Sequence, residues 1–190
     1  MTCTIHECPP RTIVVPGLRS AASDDWELLW SGMLPEFDYV NMPDGVKPPI
    51  RAQWVDHLAD AILAARGPVV VVAHCLGSLA TVHLPEQISS RIRAAMFVAP
   101  VDPDCRGTFL DFFPVPSRRL NYHSLVVASK QDPYCSVRMA ASFSRAWGSD
   151  FLRLNKPGYL TAADADSGWP LGKFLLEWLV SDIHKPTHDR

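Results

Sequence analysis

Residues 69–80 read VVVVAHCLGSLA, and few other stretches limit the possible folds as severely. Four consecutive valines favour extended backbone, and an apolar run with no polar alternation suits a strand covered on both faces. The residues that follow are small and then helical in period, so a buried strand must give way to a helix almost at once. Such a junction makes a sharp turn, and its middle residue, Cys75, is thrust above the edge of a sheet. The rest of the chain supplies the layers that a strand of this kind needs. Strands are expected near Thr12–Pro16, Asp38–Asn41, Pro68–His74, Ala94–Ala99, Leu125–Ser129 and Phe151–Leu154. Helices are expected at Asp24–Met33, Ile50–Ala65, Leu76–Leu84, Val137–Trp147 and Pro170–Ile183. This alternation is the pattern of a parallel sheet with helices on both faces. In PIRAQWVDHLADAILAAR, the residues Ile50, Trp54, Leu58, Ala61 and Ile62 form one stripe, as an amphipathic crossover helix requires.

Composition narrows the function classes. With 190 residues, 47% hydrophobic and 20% charged, the chain suits one globular domain, residues 1–190, with 1–10 and 184–190 as loose termini. The formal net charge of −2 and the scattered Lys and Arg argue against a nucleic-acid partner. Apolar runs such as Val69 to Ala73 are far too short to span a bilayer, and MTCTIHECPP lacks the apolar core of a signal peptide. A cytoplasmic protein without a membrane partner is expected. Five widely spread cysteines are read as free thiols rather than a disulfide framework. Cys3 and Cys8 bracket His6, but no second ligand pair follows, so neither a metal nor another cofactor is expected. Seventeen prolines sit mostly in joints such as MPDGVKPP and FPVPS, which mark loops.

The turn itself, Ala73-His74-Cys75-Leu76-Gly77, matches the spacing G-x-S-x-G with Ala first and Cys third. Small residues are needed at both flanks because the turn brings strand and helix backbones together. A nucleophile at the centre faces the N-terminus of the following helix, whose free N–H groups favour negative charge. The same field is expected to lower the Cys75 pKa, and its place at the tip of the turn is expected to expose the thiol to a cleft.

With these residues in view, the chain resembles a known family. VVPGL, VVAHCLGSLA, FVAPVD, ASKQDPYCS, FSRAWGSD and PGYLTAADADSGWPLGKFLLEWL are similar, in order and spacing, to the small lidless α/β-hydrolases of the YdeN and retinoblastoma-binding-protein type. The resemblance covers nearly the whole chain. It implies a six-stranded, mostly parallel sheet with helices on both faces and no separate lid. It also implies a serine hydrolase acting on esters with a Ser-Asp-His triad. Carried over residue by residue, the nucleophile falls on Cys75, where the family has serine. The acid falls on Asp132, in Lys130-Gln131-Asp132-Pro133-Tyr134. The histidine falls on Tyr159, in Pro157-Gly158-Tyr159-Leu160. The oxyanion donors fall on the backbone N–H groups of Leu18 and Leu76, and Arg19 and Ser20 border the first of these as weaker candidates for substrate contact.

Two of three triad side chains therefore differ from the family while the frame is retained. A thiol is partly ionised near neutral pH without a base, so losing the histidine is expected to harm Cys75 less than it would harm a serine. No other histidine is expected to replace it. His74 should point to the opposite face of the sheet, His123 opens the fifth strand at its far end, and His57 and His83 fall in helices. His6, His184 and His188 lie near the termini. Trp147 and Trp169 are read as packing residues, and Asp164, Asp166 and Ser167 as a solvated loop. Two functions compete. The first is an acyl-transfer enzyme with a small acyl or carbonyl substrate, either slow in hydrolysis or turned to transfer, lyase or cyclisation chemistry. The second is an inactive relative that binds or scaffolds. The sequence leaves open whether the altered triad is active, relict or engineered, and it is silent on oligomeric state.

Overall fold

In the computed structural model, residues 10–18, 26–31, 36–43, 48–155 and 169–182 are described. Strands β1 (Arg11–Val15), β2 (Phe37–Tyr39), β3 (Val69–His74), β4 (Ile92–Val98), β5 (His123–Ser129) and β6 (Asp150–Leu154) form one sheet in the order β2-β1-β3-β4-β5-β6. Every neighbouring pair is parallel. Helices are α1 (Trp26–Ser31), α2 (Arg51–Ala64), α3 (Leu76–Val82), α4 (Glu86–Ser89), α5 (Val137–Trp147) and α6 (Pro170–Asp182). Each expected strand is present within two residues of its expected limits. The short α4 and the 3₁₀ turns at Cys105–Gly107 and Leu110–Phe112 were not foreseen, because one turn of helix leaves no readable period.

Strand β3 is buried along its whole length, and its alternation divides the core into two layers. Val69, Val71 and Ala73 join Trp54, Leu58, Ile62, Leu76, Phe97 and Trp147 on one face. Val70 and Val72 join Trp26, Trp30, Met96, Trp169 and Leu179 on the other. Each buried valine contributes about 1.5–3 kcal/mol before chain entropy is charged against it, which is why a continuous valine run belongs in the middle of the sheet. In α2 the stripe is narrower than expected. Trp54, Leu58 and Ile62 are buried, but Ala61 is half-buried and Ile50 is 40% exposed. Ile50 precedes the first helical turn with extended backbone, at φ −99° and ψ 117°, and so leaves the helical stripe.

Trp147 stacks on Phe143 within one layer, and Trp169 packs edge-on to Trp26 at 4.9 Å in the other, so both are packing residues as expected. Helix α5 is closed at both ends. The Ser136 hydroxyl accepts a hydrogen bond from the Met139 amide, and Gly148 ends the helix at φ 69°.

The connection from β1 to β2 runs toward one edge of the sheet, and the connection from β3 to β4 runs toward the other. The order therefore reverses between β1 and β3. In open parallel sheets this reversal opens a crevice beyond the C-terminal ends of the two strands, where ligands bind. Cys75 follows β3 directly, and Pro16-Gly17-Leu18 follows β1.

Candidate active site

Cys75 adopts φ 52° and ψ −117°, outside the regions that most side chains occupy. The surrounding bonds hold it there. Its amide donates to the Val98 carbonyl at 2.9 Å, its carbonyl accepts from the Ser78 amide at 3.1 Å, and the Ser78 hydroxyl donates to the Ala73 carbonyl at 3.0 Å. A Cβ on Gly77 would lie 2.6 Å from the Val15 carbonyl oxygen and 2.8 Å from that of Pro16. The small residue two positions after Cys75 is thus required by the passage of β1 beside the new helix. Strain of this kind persists where structure overdetermines it, and it is concentrated at functional sites.

Two expectations about the thiol are overturned. Cys75 is 2% exposed, not open to a cleft. The loop after β1 lies directly against it, since a Cβ on Gly17 would stand 2.7 Å from Cys75 Cβ and 3.3 Å from Sγ. Burial pushes the thiol up to about 12, while the backbone amides of Leu18 and Leu76 favour the thiolate and pull in the opposite direction. The negative fields of Asp132 and Glu27 raise it further. Desolvation of a small charged sulfur therefore outweighs the helix field. The thiol is neutral at pH 7.

Asp132 is half-buried in the turn after β5 and accepts a hydrogen bond from the Tyr134 amide at 2.8 Å. Burial raises its carboxyl to about 6, opposed by the amides of Tyr134 and Cys135 and by the field of His74. Asp132 is therefore both a turn-former before Pro133 and a carboxylate at the same strand ends as Cys75. A hydrogen bond of 3.0 Å from the Asp102 amide to the Tyr134 carbonyl ties this turn to the loop after β4. Tyr159, Arg19, Ser20, Asp164, Asp166 and Ser167 lie outside the described residues, as do Cys3, His6, Cys8, His184 and His188.

The other histidines are placed largely as their positions suggest. His123 opens β5 and pairs with Asp150 at 2.9 Å. The Nδ1 atoms of His57 and His83 each lie 2.8 Å from the carbonyl four residues earlier. His74 does pack on the opposite layer from Cys75, with its ring centroid 6.0 Å from that of Trp26. Its Nδ1 is 2.6 Å from Oε1 of Glu27, and both side chains are buried. Glu27 went unnoticed in the sequence. The available signal was a carboxylate set between Trp26 and Trp30, on a helix whose neighbours are nearly all apolar. Among the described residues, Cys75, Cys105 and Cys135 are free cysteines, no group of three or more His, Cys, Asp or Glu is arranged to hold a metal, and no helix is long and apolar enough to cross a membrane.

A six-stranded parallel sheet flanked by helices, with a strained residue between its central strand and the next helix, defines an α/β-hydrolase fold. The chain belongs to the serine hydrolase family, whose profile matches residues 12–178. Solved structures agree in fold. A YdeN-like hydrolase from Pectobacterium atrosepticum superposes with a TM-score of 0.81 at 24% identity, covering 91% of each chain. The ydeN gene product from B. subtilis gives 0.68 at 18% identity, covering 91% of this chain and all (100%) of that one. Est1E from Butyrivibrio proteoclasticus, solved with ferulic acid bound, gives 0.67 at 13% identity and covers 91% of this chain and 90% of its own. No curated protein matches the chain.

Proposed function

We propose that this protein is an acyl-transfer enzyme in which Cys75 attacks the carbonyl carbon of a small ester or thioester. The observation that carries the reading is the position of the thiol, which stands at the reversal of the sheet with the backbone amides of Leu18 and Leu76 acting on it. Those two amides would hold the oxyanion of a tetrahedral intermediate, a contribution of about 2.7–4 kcal/mol per donor in other acyl-transfer sites. Family membership and a thermophilic esterase among the structural neighbours support an ester substrate. Asp132 and Tyr159 occupy the positions of the family's acid and histidine. Tyr159 would donate a proton or a hydrogen bond rather than activate water, since phenol has an unperturbed pKa of about 10. Deacylation by water is then the slow half of the cycle. An acyl-thioester should accumulate, or pass its acyl group to a nucleophile better than water.

A second reading, an inactive relative that binds a partner, is favoured by the burial and neutrality of Cys75. One experiment separates the two. The protein is incubated with p-nitrophenyl acyl esters of increasing chain length, and intact mass and nitrophenol release are followed together. A stoichiometric burst with an acyl mass increment, absent in Cys75→Ala, supports the enzyme. Neither burst nor adduct with any ester leaves binding as the function.

A further inference from the structure

The residue that precedes β5 is buried, yet its polar end has nothing to bond. Tyr122 is 9% exposed, and its hydroxyl is buried without a hydrogen-bond partner. A buried hydroxyl in this state costs free energy comparable to a lost hydrogen bond, so it calls for an explanation. Tyr122 lines a cavity of about 90 Å³ together with Thr81, Glu86, Ser89, Arg118 and Arg119. The other buried hydroxyls on these walls are satisfied. Thr81 donates to the Gly77 carbonyl at 2.8 Å, and Ser89 donates to the Glu86 carbonyl at 3.2 Å.

The rim of the cavity is cationic. Arg118 and Arg119 are exposed, and neither is ion-paired among the described residues. Both are nonetheless held in place. Arg118 donates from Nη2 to the Leu84 carbonyl at 3.2 Å, which occupies one of its five N–H donors. Arg119 lies across Gly148, where a Cβ would meet its Cγ at 2.9 Å and its Cζ at 3.1 Å, so a larger residue there would displace the guanidinium. Two cations against the single carboxylate of Glu86 leave the lining residues with one net positive charge. The field of Arg118 reaches the phenol and favours its ionised form, but burial pushes it further the other way. Tyr122 therefore keeps its proton and can donate it to a hydrogen bond.

We propose that this cavity binds a small monocarboxylate, whose oxygens accept hydrogen bonds from the Tyr122 hydroxyl and the Arg118 guanidinium, with Arg119 at the rim. The ligand class follows from the walls. Phenol and guanidinium both offer protons, so the ligand must accept them, and a planar guanidinium matches a carboxylate with two parallel bonds. One net positive charge suits a monoanion, and the volume admits only a few non-hydrogen atoms. Because the hydroxyl is screened from water as the cavity stands, seating the anion requires a side-chain shift, and exposed Arg118 is the wall group free to make it. Tyr122 precedes β5, whereas Cys75 and Asp132 follow the C-terminal ends of β3 and β5, so the cavity lies at the opposite end of a parallel sheet. The seven residues of β5 put about 20 Å between the two ends. This is a second site, and its ligand does not depend on Cys75 being a nucleophile.

The test is a titration of the full chain, labelled with ¹³C at tyrosine Cζ, with sodium acetate, acetamide and inorganic phosphate in turn, while sodium chloride holds the ionic strength constant. The Tyr122 signal is the one missing from Tyr122→Phe. Acetate should shift it saturably. A ligand of four non-hydrogen atoms binds no tighter than about 0.05 mM, so the titration extends to about 100 mM. Arg118→Gln should weaken acetate by about tenfold or more, as expected for a hydrogen bond between charged groups, and neutral acetamide should bind more weakly by a similar factor. An acetate response that is absent, that acetamide equals, or that survives undiminished in Arg118→Gln overturns the site. Phosphate binding tighter than acetate overturns the assignment to a carboxylate. Should Tyr122→Phe not fold, crystals of the unmutated protein soaked in acetate decide. A carboxylate within hydrogen-bonding distance of Tyr122 Oη supports the proposal, and water alone on that hydroxyl overturns it.

Discussion

Asp132 shows at the scale of one residue how a half-buried carboxylate is held at some expense to stability. Its carboxyl is raised to about 6 by burial, against an unfolded value near 3.8. A raised carboxyl binds more protons folded than unfolded, so its cost is absent below about pH 4, grows as pH rises, and is complete above the folded value. Discounted for partial exposure, the cost is about 2 kcal/mol. Asp132→Asn keeps an oxygen for the Tyr134 amide and should stabilise the protein by about 1–2 kcal/mol near pH 7.5, with the difference vanishing toward pH 4. Denaturant unfolding at several pH values measures this. A gain that is constant with pH would mean that the carboxylate is not the source. Cys75 differs in that its raised thiol carries no charge at pH 7 and so leaves stability in the neutral range unaffected. Removing its side chain should change chemistry more than folding.

At the scale of elements, the junction of β3 and α3 is the decisive object. Its small flanking residues are legible in the sequence, and the structure gives the reason in distances: Gly77 meets the carbonyl oxygens of Val15 and Pro16. Gly77→Ala should therefore destabilise by about 2–4 kcal/mol, because the obstacle is backbone that cannot rotate away. A thermal melt within a few degrees of the unmutated protein would show that β1 can shift. Gly17→Ala is a separate case. Its Cβ would press on the Cys75 side chain while meeting the His74 ring only at ordinary contact distance, so it should lower Cys75 reactivity more than it lowers folding stability. Alkylation and melting of the same sample compare the two.

Over the whole molecule, two layers of unequal character enclose the sheet. The face that carries Trp26, Trp30 and Trp169 joins α1 to the entry of α6 through an aromatic cluster, with centroids 4.7 Å apart for Trp26–Trp30 and 6.0 Å for Trp30–Trp169. Gly172 is needed beneath it, since a Cβ there would fall 2.1 Å from a ring carbon of Trp169. Trp169→Ala should cost about 3–5 kcal/mol and alter the intrinsic fluorescence, as expected for a buried indole removed from a packed cluster. At the sheet edge, Arg11 binds Glu36 at 2.7 Å and also pairs with Asp38, but these groups are largely in water. Arg11→Met should change stability by less than about 1 kcal/mol, which salt-dependent unfolding can check.

Local patterning was enough to determine the parallel sheet, the strand limits within two residues, and the elbow at Cys75. Each of these follows from side-chain period, β-branching and the size of adjacent residues, all of which act over a few positions along the chain. The family resemblance pointed to particular residues for the proposed nucleophile and acid. Only the tertiary structure decided the state of the thiol. The helix field that would lower its pKa is local and readable, whereas the burial that overrides it comes from a loop almost sixty residues earlier in the chain. The His74–Glu27 pair was hidden for the same reason. Alternation along β3 correctly sends His74 to the far layer, but it cannot say which residue of α1 meets it there, because that contact depends on how the helix packs across the end of the sheet.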